Sequence, residues 1–289
     1  MRGGAYPPYS RPVASAYTIA GGLTDAQRLA RQAHVMAQAT EAFLSGLGLS
    51  RGWACLDVGC GDGQVTIEMA RVAGSDGHVV GVDLDAEALE LARQAALRAG
   101  VDAEFVRGDA SRLLDREGFD LAYARLLLSH LVDPSAALRA MRATVRDGGV
   151  VAVEDLFTGT LRSDPPAPAL DRLQDVYCAT VRFHGGDPTI GPRLRALLSA
   201  SGLEDVREET VANRMETVDD KLFLAQLVRN MRASILEAGA ATSEQIAELE
   251  AALEEAARDP ATVFYQNTHP PGVGPAPRLT PRSRCWVRG

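Results

Sequence analysis

The sequence predicts an α/β fold in which helices cover both faces of a doubly wound parallel sheet. Three observations predict it. Short apolar runs alternate with helical patterns between about residues 54 and 155, a glycine-rich turn follows the first run, and an aspartate ends the second. Strands that are apolar along their whole length are typical of parallel sheets buried on both faces, and the alternation supplies the covering helices.

Five strands and their helices can be placed in order along this region. The predicted strands are 54–58, 78–83, 103–107, 119–124 and 150–155. The predicted helices are 64–72, one that follows Asp85 as N-cap and stops at Gly100, and one that opens at Asp133-Pro134 and ends by Gly148-Gly149. A further amphipathic helix precedes the first strand, from a Thr24/Gln27 capping box to about Leu47.

The pattern loosens after Phe157. It predicts helices at 169–183, up to Gly202, at 219–238 and at 243–257, the last opened by a Thr242/Gln245 capping box. It also predicts a sixth strand at 206–211 and a seventh at 262–267. The tail from Pro270 carries five prolines and shows no periodicity, so we expect it to be irregular.

Composition and charge exclude several classes of function. The 289 residues carry a net charge of −8, which argues against general nucleic-acid binding because phosphate contacts need a basic face. No apolar run approaches the roughly 18 residues that span a bilayer, and the N-terminus lacks an apolar signal segment. The cysteines lack CxxC spacing and the histidines lack an HExxH pattern, which predicts neither disulfides nor a metal site. We therefore expect a cytoplasmic protein without metal, membrane partner or nucleic-acid partner.

The stretch that carries chemistry is LDVGCGDG (56–63), between the first strand and its helix. Gly59 and Gly61 permit a tight turn and let the backbone approach a ligand without a Cβ in the way. The helix that follows offers free N–H groups at its N-terminus. Asp83 ends the second strand, where an acidic side chain can accept hydrogen bonds from both hydroxyls of a ribose.

Two cofactors fit this turn, a nicotinamide dinucleotide and S-adenosylmethionine. A dinucleotide needs the spacing GxGxxG, but the third position here is Gln64, and Gly63 is displaced by one residue. Asp57 and Asp62 also place negative charge beside the site of a pyrophosphate. Because a sulfonium with an ammonium group is cationic, electrostatics favours S-adenosylmethionine.

Five ordered segments over about residues 54–157 resemble the class I S-adenosylmethionine-dependent methyltransferases. LDVGCGDG resembles the first motif of that family, VVGVDLD its ribose-binding strand end, and VRGDAS its adenine motif. FDLAYARLLLSHLVDP and VRDGGVVAVEDLF resemble the segments around its fourth and fifth strands. The resemblance implies a Rossmann-like, doubly wound seven-stranded sheet whose last strand is antiparallel, and it implies methyl transfer.

The resemblance also implies cofactor-binding roles for residues of the glycine-rich turn. The Gly59 carbonyl would receive the amino group of the methionine moiety, and Gly61 would face the same moiety. Asp57 would support the turn and the sulfonium side. Cys60 belongs to the same turn, as a small residue that fills it.

The nucleoside would be held by the ends of the second and third strands. By the resemblance, Asp83 would hold the ribose hydroxyls and Leu84 would pack on adenine. Asp109 would accept a hydrogen bond from the adenine amine, and the Ala110 N–H would serve a ring nitrogen.

The methionine end would be closed by Ala124 and Arg125 and by the N-terminal region. The leader before the first helix resembles that of small-molecule methyltransferases from natural-product pathways. By that resemblance, Tyr17 would lie over the sulfonium as part of a lid, since an aromatic face attracts a cation. Gln32 would reach the carboxylate. A packing role for Tyr17 in the leader is the alternative.

The stretch GGDPTIGPRL (185–194) resembles the same subgroup, where the family inserts substrate-binding helices. We therefore divide the chain into a leader and lid helix (1–50), a cofactor-binding α/β core (51–157), a helical substrate-binding insert (158–205) and a C-terminal part with further helices and the irregular tail (206–289). The implied function is methyl transfer to a small organic acceptor in secondary metabolism. The N-terminal helix also offers a surface through which copies of the chain could associate as a homo-oligomer.

A general base matters only if the acceptor must lose a proton, because a sulfonium is already a strong electrophile. The catalytic candidates are Tyr17, His130 and Glu154, with Asp155 and His184 as further choices. His130 follows the fourth strand and Glu154 ends the fifth, at the carboxyl edge where open α/β sheets bind ligands. An imidazole suits a base near pH 7, although a histidine in LLLSHL could equally be a packing residue.

Two other classes of function fit the same fold. One is a cyclase or pericyclic catalyst that uses the cofactor structurally or not at all, and the other is a module that only senses the cofactor. The intact glycine-rich turn counts against loss of cofactor binding, and the long insert favours an enclosed substrate. NAD-dependent oxidoreduction is the weakest alternative, because of the acidic residues in the turn.

Asp83→Ala should weaken the binding of S-adenosylmethionine. Two charge-assisted hydrogen bonds to the ribose, at about 1.5–3 kcal/mol each, correspond to a loss of tenfold to well over a hundredfold in affinity. Titration calorimetry measures it. Unchanged affinity would refute the ribose-binding role.

Overall fold

The computed structural model describes residues 26–113, 117–155, 158–210, 213–266 and 283–288. In this part of the chain the helices are α1 (Ala26–Gly46), α2 (Gln64–Ala73), α3 (Ala86–Ala99), α4 (Pro134–Thr144), α5 (Pro168–Phe183), α6 (Leu194–Ala200), α7 (Val218–Glu237) and α8 (Ser243–Arg258). The strands are β1 (Ala54–Val58), β2 (His78–Asp83), β3 (Glu104–Arg107), β4 (Phe119–Arg125), β5 (Val145–Asp155), β6 (Leu161–Asp164), β7 (Arg207–Thr210), β8 (Asn213–Met215), β9 (Val263–Gln266) and β10 (Ser283–Arg288). Short 3-10 segments lie at Gly74–Asp76, Leu128–His130, Thr158–Thr160 and Gly191–Arg193.

Five parallel strands form the centre of the main sheet, in the order β3-β2-β1-β4-β5. Helices flank them on both faces, which confirms the predicted Rossmann-like α/β core. β10 pairs antiparallel with β5, and β7 pairs antiparallel with β10. Within the described residues the hydrogen-bonded order is therefore β3-β2-β1-β4-β5-β10-β7.

Local signals in the sequence set the helix boundaries. The Asp85 carboxylate accepts hydrogen bonds from two backbone N–H groups at the start of α3, and Gly100 ends that helix with a left-handed φ of 66°. Asp133 caps α4 in the same way. Thr242 and Gln245 form the predicted capping box of α8. The Thr24 half of the capping box predicted for α1 lies outside the described residues.

Two layers of helices cover the main sheet. α4 and α6 pack on one face, against apolar side chains such as Val58, Ala124 and Val153. α1 and α2 pack on the other face, where Phe43 of α1 lies near Tyr123 of β4. α3 completes this second layer and packs with α2 against β3.

A second hydrophobic cluster lies outside the main sheet. It joins α5, α7 and α8 to a small antiparallel sheet in the order β6-β9-β8. We call residues 158–183 and 213–266 the cap. Val35 of α1 packs against the cap, whereas Phe43 and Leu44 of the same helix, and Leu47 just after it, are buried against the main sheet. α1 therefore bridges the two hydrophobic clusters.

Several predictions for the region after residue 133 are wrong in detail. The strand predicted at 262–267 exists as β9, but it pairs within the cap. The strand beside β5 is instead β10, in the tail that we expected to be irregular. β6 and β8 contain four and three residues, too few to show an alternating pattern. α4 ends at Thr144 rather than at Gly148, because β5 begins at Val145.

None of the helices in the described part of the chain is long and apolar enough to cross a membrane. The same residues contain no cluster of histidine, cysteine or acidic side chains suited to hold a metal ion.

Lys221, the single lysine of the sequence, is fully buried in the cap. Its Nζ donates hydrogen bonds to the carbonyl oxygens of Asp259 at 2.7 Å and Thr262 at 2.8 Å, and it lies 5.9 Å from the centre of the Phe264 ring. The ammonium thus ties α7 to the turn between α8 and β9. A buried cation is tolerated where such acceptors replace water.

Lys221→Met should destabilise the protein, because it leaves two carbonyl oxygens without their donor. We expect a loss of about 2–3 kcal/mol in the free energy of unfolding, measured by denaturant unfolding. Arg229→Met is the matched control, since Arg229 lies on the same helix but its side chain is 46% exposed. Its loss should stay below about 1 kcal/mol. Equal losses of stability in both variants would contradict the conclusion that the hydrogen bonds of Lys221 stabilise the cap.

Candidate active site at the carboxyl edge of the sheet

The glycine-rich turn between β1 and α2 folds back onto the end of β2. The N–H groups of Gly59 and Cys60 donate to the Val82 carbonyl oxygen at 2.8 and 3.1 Å. The Gly61 N–H donates to Asp83 Oδ2 at 2.8 Å. Gly59 and Gly61 have φ values of 73° and 54°, in the left-handed region that favours glycine. The turn is therefore fixed by the strand that carries Asp83.

Neighbouring elements approach the turn closely. A Cβ built on Gly59 would lie 2.9 Å from Leu127 Cδ1. A Cβ on Gly63 would lie 2.8 Å from Ala92 Cβ and 2.9 Å from Phe105 Cε1. The segment after β4 thus lies against one end of the turn, and α3 and β3 lie against the other.

Asp83 and Leu84 end β2 beside the turn. Asp83 Oδ1 accepts a hydrogen bond from the Asp85 N–H at 2.9 Å, so each carboxylate oxygen already holds one backbone donor. A carboxylate oxygen has further acceptor capacity, which leaves room for a ligand hydroxyl on each. Burial raises the pKa of this carboxyl, and its backbone hydrogen bonds act in the opposite direction. Leu84, the next residue, is 46% exposed.

Asp57 is buried directly behind the turn. It is 2% exposed, and its Oδ2 accepts a hydrogen bond from Thr66 Oγ1 of α2 at 2.7 Å. Burial raises the pKa of the Asp57 carboxyl from 3.8 to about 6, although the Thr66 hydroxyl and the Arg125 guanidinium both lower it. The turn therefore has a carboxylate beneath it that lacks full solvation.

Asp109 and Ala110 follow β3 at the same edge of the sheet. Asp109 Oδ1 accepts hydrogen bonds from the Ser111 N–H at 2.8 Å and from Ser111 Oγ at 2.7 Å. This local turn orients the carboxylate. Because Asp83 pairs with Arg107 in the sheet, Asp109 lies two residues beyond the position next to Asp83.

Cys60 and Ala124 direct their side chains into the protein. Burial and the negative charge of Asp57 raise the pKa of the Cys60 thiol well above its usual value, so it is a poor nucleophile. A Cβ built on Gly81 would lie 2.9 Å from Cys60 Sγ, which places the thiol over β2. The Ala124 side chain belongs to the core beneath α4. Either residue could reach a ligand only through its backbone.

The ends of β4 and β5 carry a buried polar network under α1. Arg125 and Glu154 are neighbours in register. The Tyr123 hydroxyl donates a hydrogen bond to Glu154 Oε1, and Thr40 Oγ1 donates to the same oxygen at 3.2 Å. Arg125 Nη1 donates to Thr40 Oγ1 at 3.2 Å. Glu154, a predicted catalytic residue, is therefore 1% exposed and engaged from two sides.

His130 lies in the 3-10 segment that follows β4. Its Nε2 is 3.5 Å from the hydroxyl of Tyr177 on α5, and the two rings meet edge to face. Both side chains are buried. Asp155 Oδ2 accepts a hydrogen bond from the Ser129 N–H at 2.9 Å, so this candidate base holds the backbone of the same segment.

The loop between α5 and α6 packs against that segment. The Asp187 N–H donates to the Ser129 carbonyl oxygen at 2.9 Å, and the Thr158 N–H and hydroxyl donate to the Pro188 carbonyl oxygen at 3.1 and 2.7 Å. A Cβ on Gly186 would collide with the Ser129 carbonyl oxygen. The His184 Nε2, at the start of this loop, is buried and has no hydrogen-bond partner in the described residues.

The structure brings most of the predicted site residues to one edge of the sheet. Tyr17 lies outside the described residues, and Gln32 lies in α1 but its side chain is not described. The sequence analysis did not single out Thr40, Thr66, Tyr123 or Tyr177. Strand alternation could have placed Tyr123 on the face of Arg125, but no local signal marks a helical threonine as a hydrogen-bonding partner of a distant strand.

Known proteins resemble this chain in sequence and in fold. The family described as "Methyltransferase domain" matches residues 49–181. A ubiquinone biosynthesis O-methyltransferase of Aeromonas salmonicida is 34% identical over 114 residues, which are 39% of this chain and 44% of that protein. The chain thus matches less than half of the length of that relative.

Two solved structures share the fold at low sequence identity. The YcgJ protein of Bacillus subtilis has a TM-score of 0.52 and 17% identity, and the match covers 84% of this chain and 97% of that one. The [4+2]-cyclase SpnF has a TM-score of 0.50 and 18% identity, with coverage of 87% and 82%. At these identities the likeness concerns the fold alone.

Asp57→Asn should be more stable than the wild type, and its advantage should be larger at pH 8 than at pH 5. Because the folded-state pKa of Asp57 is raised, its contribution to stability is present below about 4 and is lost as the pH rises through about 6. The neutral amide avoids that loss, so the free energy of unfolding should gain up to about 2–3 kcal/mol at pH 8 and about half as much at pH 5, where the unfolded carboxyl is already ionised.

Urea unfolding of both proteins at the two pH values measures this difference. Asp76→Asn is the control, because that carboxylate is 75% exposed, and it should track the wild type at both pH values. A stability difference between Asp57→Asn and wild type that is independent of pH would refute the buried-charge argument.

Proposed function

We propose, on the premise that residues 49–181 are a class I S-adenosylmethionine-dependent methyltransferase domain, that this protein transfers a methyl group to a hydroxyl of a small organic acceptor. One observation carries the proposal. The segment that bears His130 packs against the glycine-rich turn, because Leu127, three residues before this buried histidine, lies against Gly59. The name of the relative, an O-methyltransferase, supports a hydroxyl acceptor. The resemblance of the leader and of residues 185–194 to natural-product enzymes supports a role in secondary metabolism.

The turn fits the cofactor of this domain in charge and shape. Asp57 and Asp83 are acidic and partly desolvated, which suits a cationic ligand and disfavours a pyrophosphate. Gly59 offers its backbone without a Cβ, and Leu84 offers an exposed apolar side chain where a base would stack. S-adenosylmethionine supplies an electrophilic methyl group when it is bound.

The residues that would hold the cofactor divide by its two ends. At the nucleoside end, Asp83 would accept hydrogen bonds from the ribose hydroxyls, while Asp109 and Ala110 would bind the adenine edge. At the methionine end, we assign the backbone of the turn, the backbone of Ala124 and the guanidinium of Arg125. Tyr17 and Gln32 would close this end as a lid with α1.

His130 would act as the general base for the acceptor hydroxyl. The imidazole would take up the proton that the hydroxyl loses when its oxygen accepts the methyl group and the bond from that methyl group to sulfur breaks, and it would later release the proton to solvent. The Tyr177 hydroxyl, 3.5 Å from Nε2, would orient the ring. The loop at 185–190 bonds to the carbonyl oxygen of Ser129, the residue before His130, and glycine at position 186 allows this close approach.

Methyl transfer itself can be tested directly. The protein is incubated with methyl-labelled S-adenosylmethionine and a panel of phenols, aliphatic alcohols, amines, indoles and carboxylic acids, and products are identified by mass spectrometry. We expect label in hydroxyl-bearing acceptors. Cofactor binding without transfer to any acceptor would overturn the proposal in favour of a cyclase or sensing role, and transfer only to nitrogen or carbon would overturn the hydroxyl assignment.

His130→Gln should reduce kcat by about 10²–10⁴ and leave the affinity for S-adenosylmethionine within twofold, because it removes the proton acceptor and not the turn. Tyr177→Phe should cause a smaller loss of rate, because it removes the hydroxyl that would orient the ring but keeps the imidazole. His78→Gln is the control, since His78 is exposed at the opposite, amino end of β2. A His130→Gln enzyme with wild-type kcat would remove the base from the mechanism.

A further inference from the structure

Thr40 connects helix α1 to the main sheet through its hydroxyl group. The residue is 4% exposed. Its Oγ1 donates to Glu154 Oε1 and accepts from Arg125 Nη1, each at 3.2 Å. The same helix is held on the sheet by Phe43 and Leu44 near its end and by Leu47 just after it, which are all buried. Thr40 therefore lies where α1 passes from this apolar anchor toward the cap.

The partners of Thr40 end two adjacent strands and share one face of the sheet. Arg125 of β4 lies next to Glu154 of β5, and Tyr123 precedes Arg125 by two residues on the same face. Glu154 Oε1 receives the Tyr123 and Thr40 hydroxyls together. The carboxylate is thus held in place from the sheet and from the helix.

The network also continues to the glycine-rich turn. Asp57 lies directly beside Tyr123 in the pairing of β1 with β4, on the face that α1 covers. The Arg125 guanidinium is close enough to Asp57 for its charge to lower the pKa of that carboxyl. Arg125 thus lies between the carboxylates of Asp57 and Glu154, and Thr40 fixes one of its nitrogens.

We propose that Thr40 is a positioning residue for cofactor binding, which holds α1 over the ends of β4 and β5 and fixes the Arg125 guanidinium beside Asp57. The inference rests on the proposed function only in taking S-adenosylmethionine as the ligand of the turn. In this proposal Glu154 does not act as the general base that the sequence suggests. It orients Thr40 and Tyr123 and takes no proton from an acceptor.

The loss of the Thr40 hydroxyl has a specific consequence. Valine matches threonine in shape, so the apolar anchor of α1 is kept. Glu154 loses the donor that α1 provides, and Arg125 loses its acceptor on the helix. The guanidinium is then free to swing away from Asp57, which changes the methionine end of the site. Asp83 and Asp109, which serve the nucleoside end, keep their partners.

Binding measurements on Thr40→Val and Thr40→Ser test this inference without reference to turnover. Titration calorimetry with S-adenosylmethionine should show about a tenfold loss of affinity for Thr40→Val, whereas Thr40→Ser, which keeps the hydroxyl, should stay within twofold. Adenosine, which lacks the methionine moiety, should bind all three proteins within twofold. Thermal melting without ligand reports whether the fold is intact.

Two results would overturn the inference. One is a Thr40→Val protein that melts like wild type and binds S-adenosylmethionine within twofold of it, and the other is an equal loss of S-adenosylmethionine and adenosine. If Thr40→Val does not fold, Tyr123→Phe replaces it, because this change removes the other donor to Glu154 and keeps the ring. It should weaken S-adenosylmethionine binding and spare adenosine, and the absence of that selectivity would overturn the inference equally. A wild-type protein that fails to bind S-adenosylmethionine would overturn this inference and the proposed function together. If the wild type binds S-adenosylmethionine and transfers the methyl group, the proposed function stands and the variants test this inference alone.

Discussion

The return of the glycine-rich turn onto the end of β2 is the contact on which the rest of the site depends. Three successive N–H groups, from Gly59 to Gly61, donate hydrogen bonds to Val82 and Asp83. The turn is therefore closed by β2, the strand that carries Asp83, the candidate ribose-binding residue. Close contacts then fix the neighbours: Leu127 lies against Gly59, and Phe105 lies against Gly63. One turn is thereby joined to β1 and β2 and lies against β3 and the segment that follows β4. A side chain at either glycine would displace a packed neighbour and demand a strained φ.

The charges behind this turn favour a ligand-binding role of the site over a stabilising one. Burial destabilises the ionised form of Asp57. A hydrogen bond from Thr66 and the attraction of Arg125 offset this only in part, because the pKa of the carboxyl stays raised. Buried ionised groups seldom repay their desolvation, so their presence favours a functional role over a structural one. A cationic ligand beside Asp57 would supply the missing counter-charge. This accounts for a tight glycine-rich turn with acidic rather than neutral neighbours.

The sequence predicted the elements whose signals are local. β1 to β5 are apolar runs, and α3, α4 and α8 begin at caps that can be recognised within four residues. The cap sheet could not be found this way, because β6 pairs with β9 about a hundred residues further along the chain and each strand has four residues. In the site, too, residues with local signals could be predicted and residues that depend on long-range packing could not. Asp57, Asp83 and Asp109 follow from strand ends, whereas Tyr177 meets His130 only through the packing of α5. Glu154 was placed at the correct edge, but the sequence could not show that α1 covers it.

The cap meets the carboxyl edge of the sheet from two directions. On one side, the loop at 185–190 bonds to Ser129 and Thr158 and packs against His130. On the other, α1 reaches from the sheet to the cap, with Thr40 at the crossing and Val35 in the cap cluster. Neither connection involves the turn's own hydrogen bonds to β2. Changes in the cap can therefore alter what lies next to His130 while the turn and Asp83 keep their geometry, since the two sets of contacts share no donor or acceptor. Such a division would let acceptor preference vary on a constant cofactor site, because Tyr177 of α5 meets His130, whereas Asp83 and Asp109 lie at strand ends outside the cap.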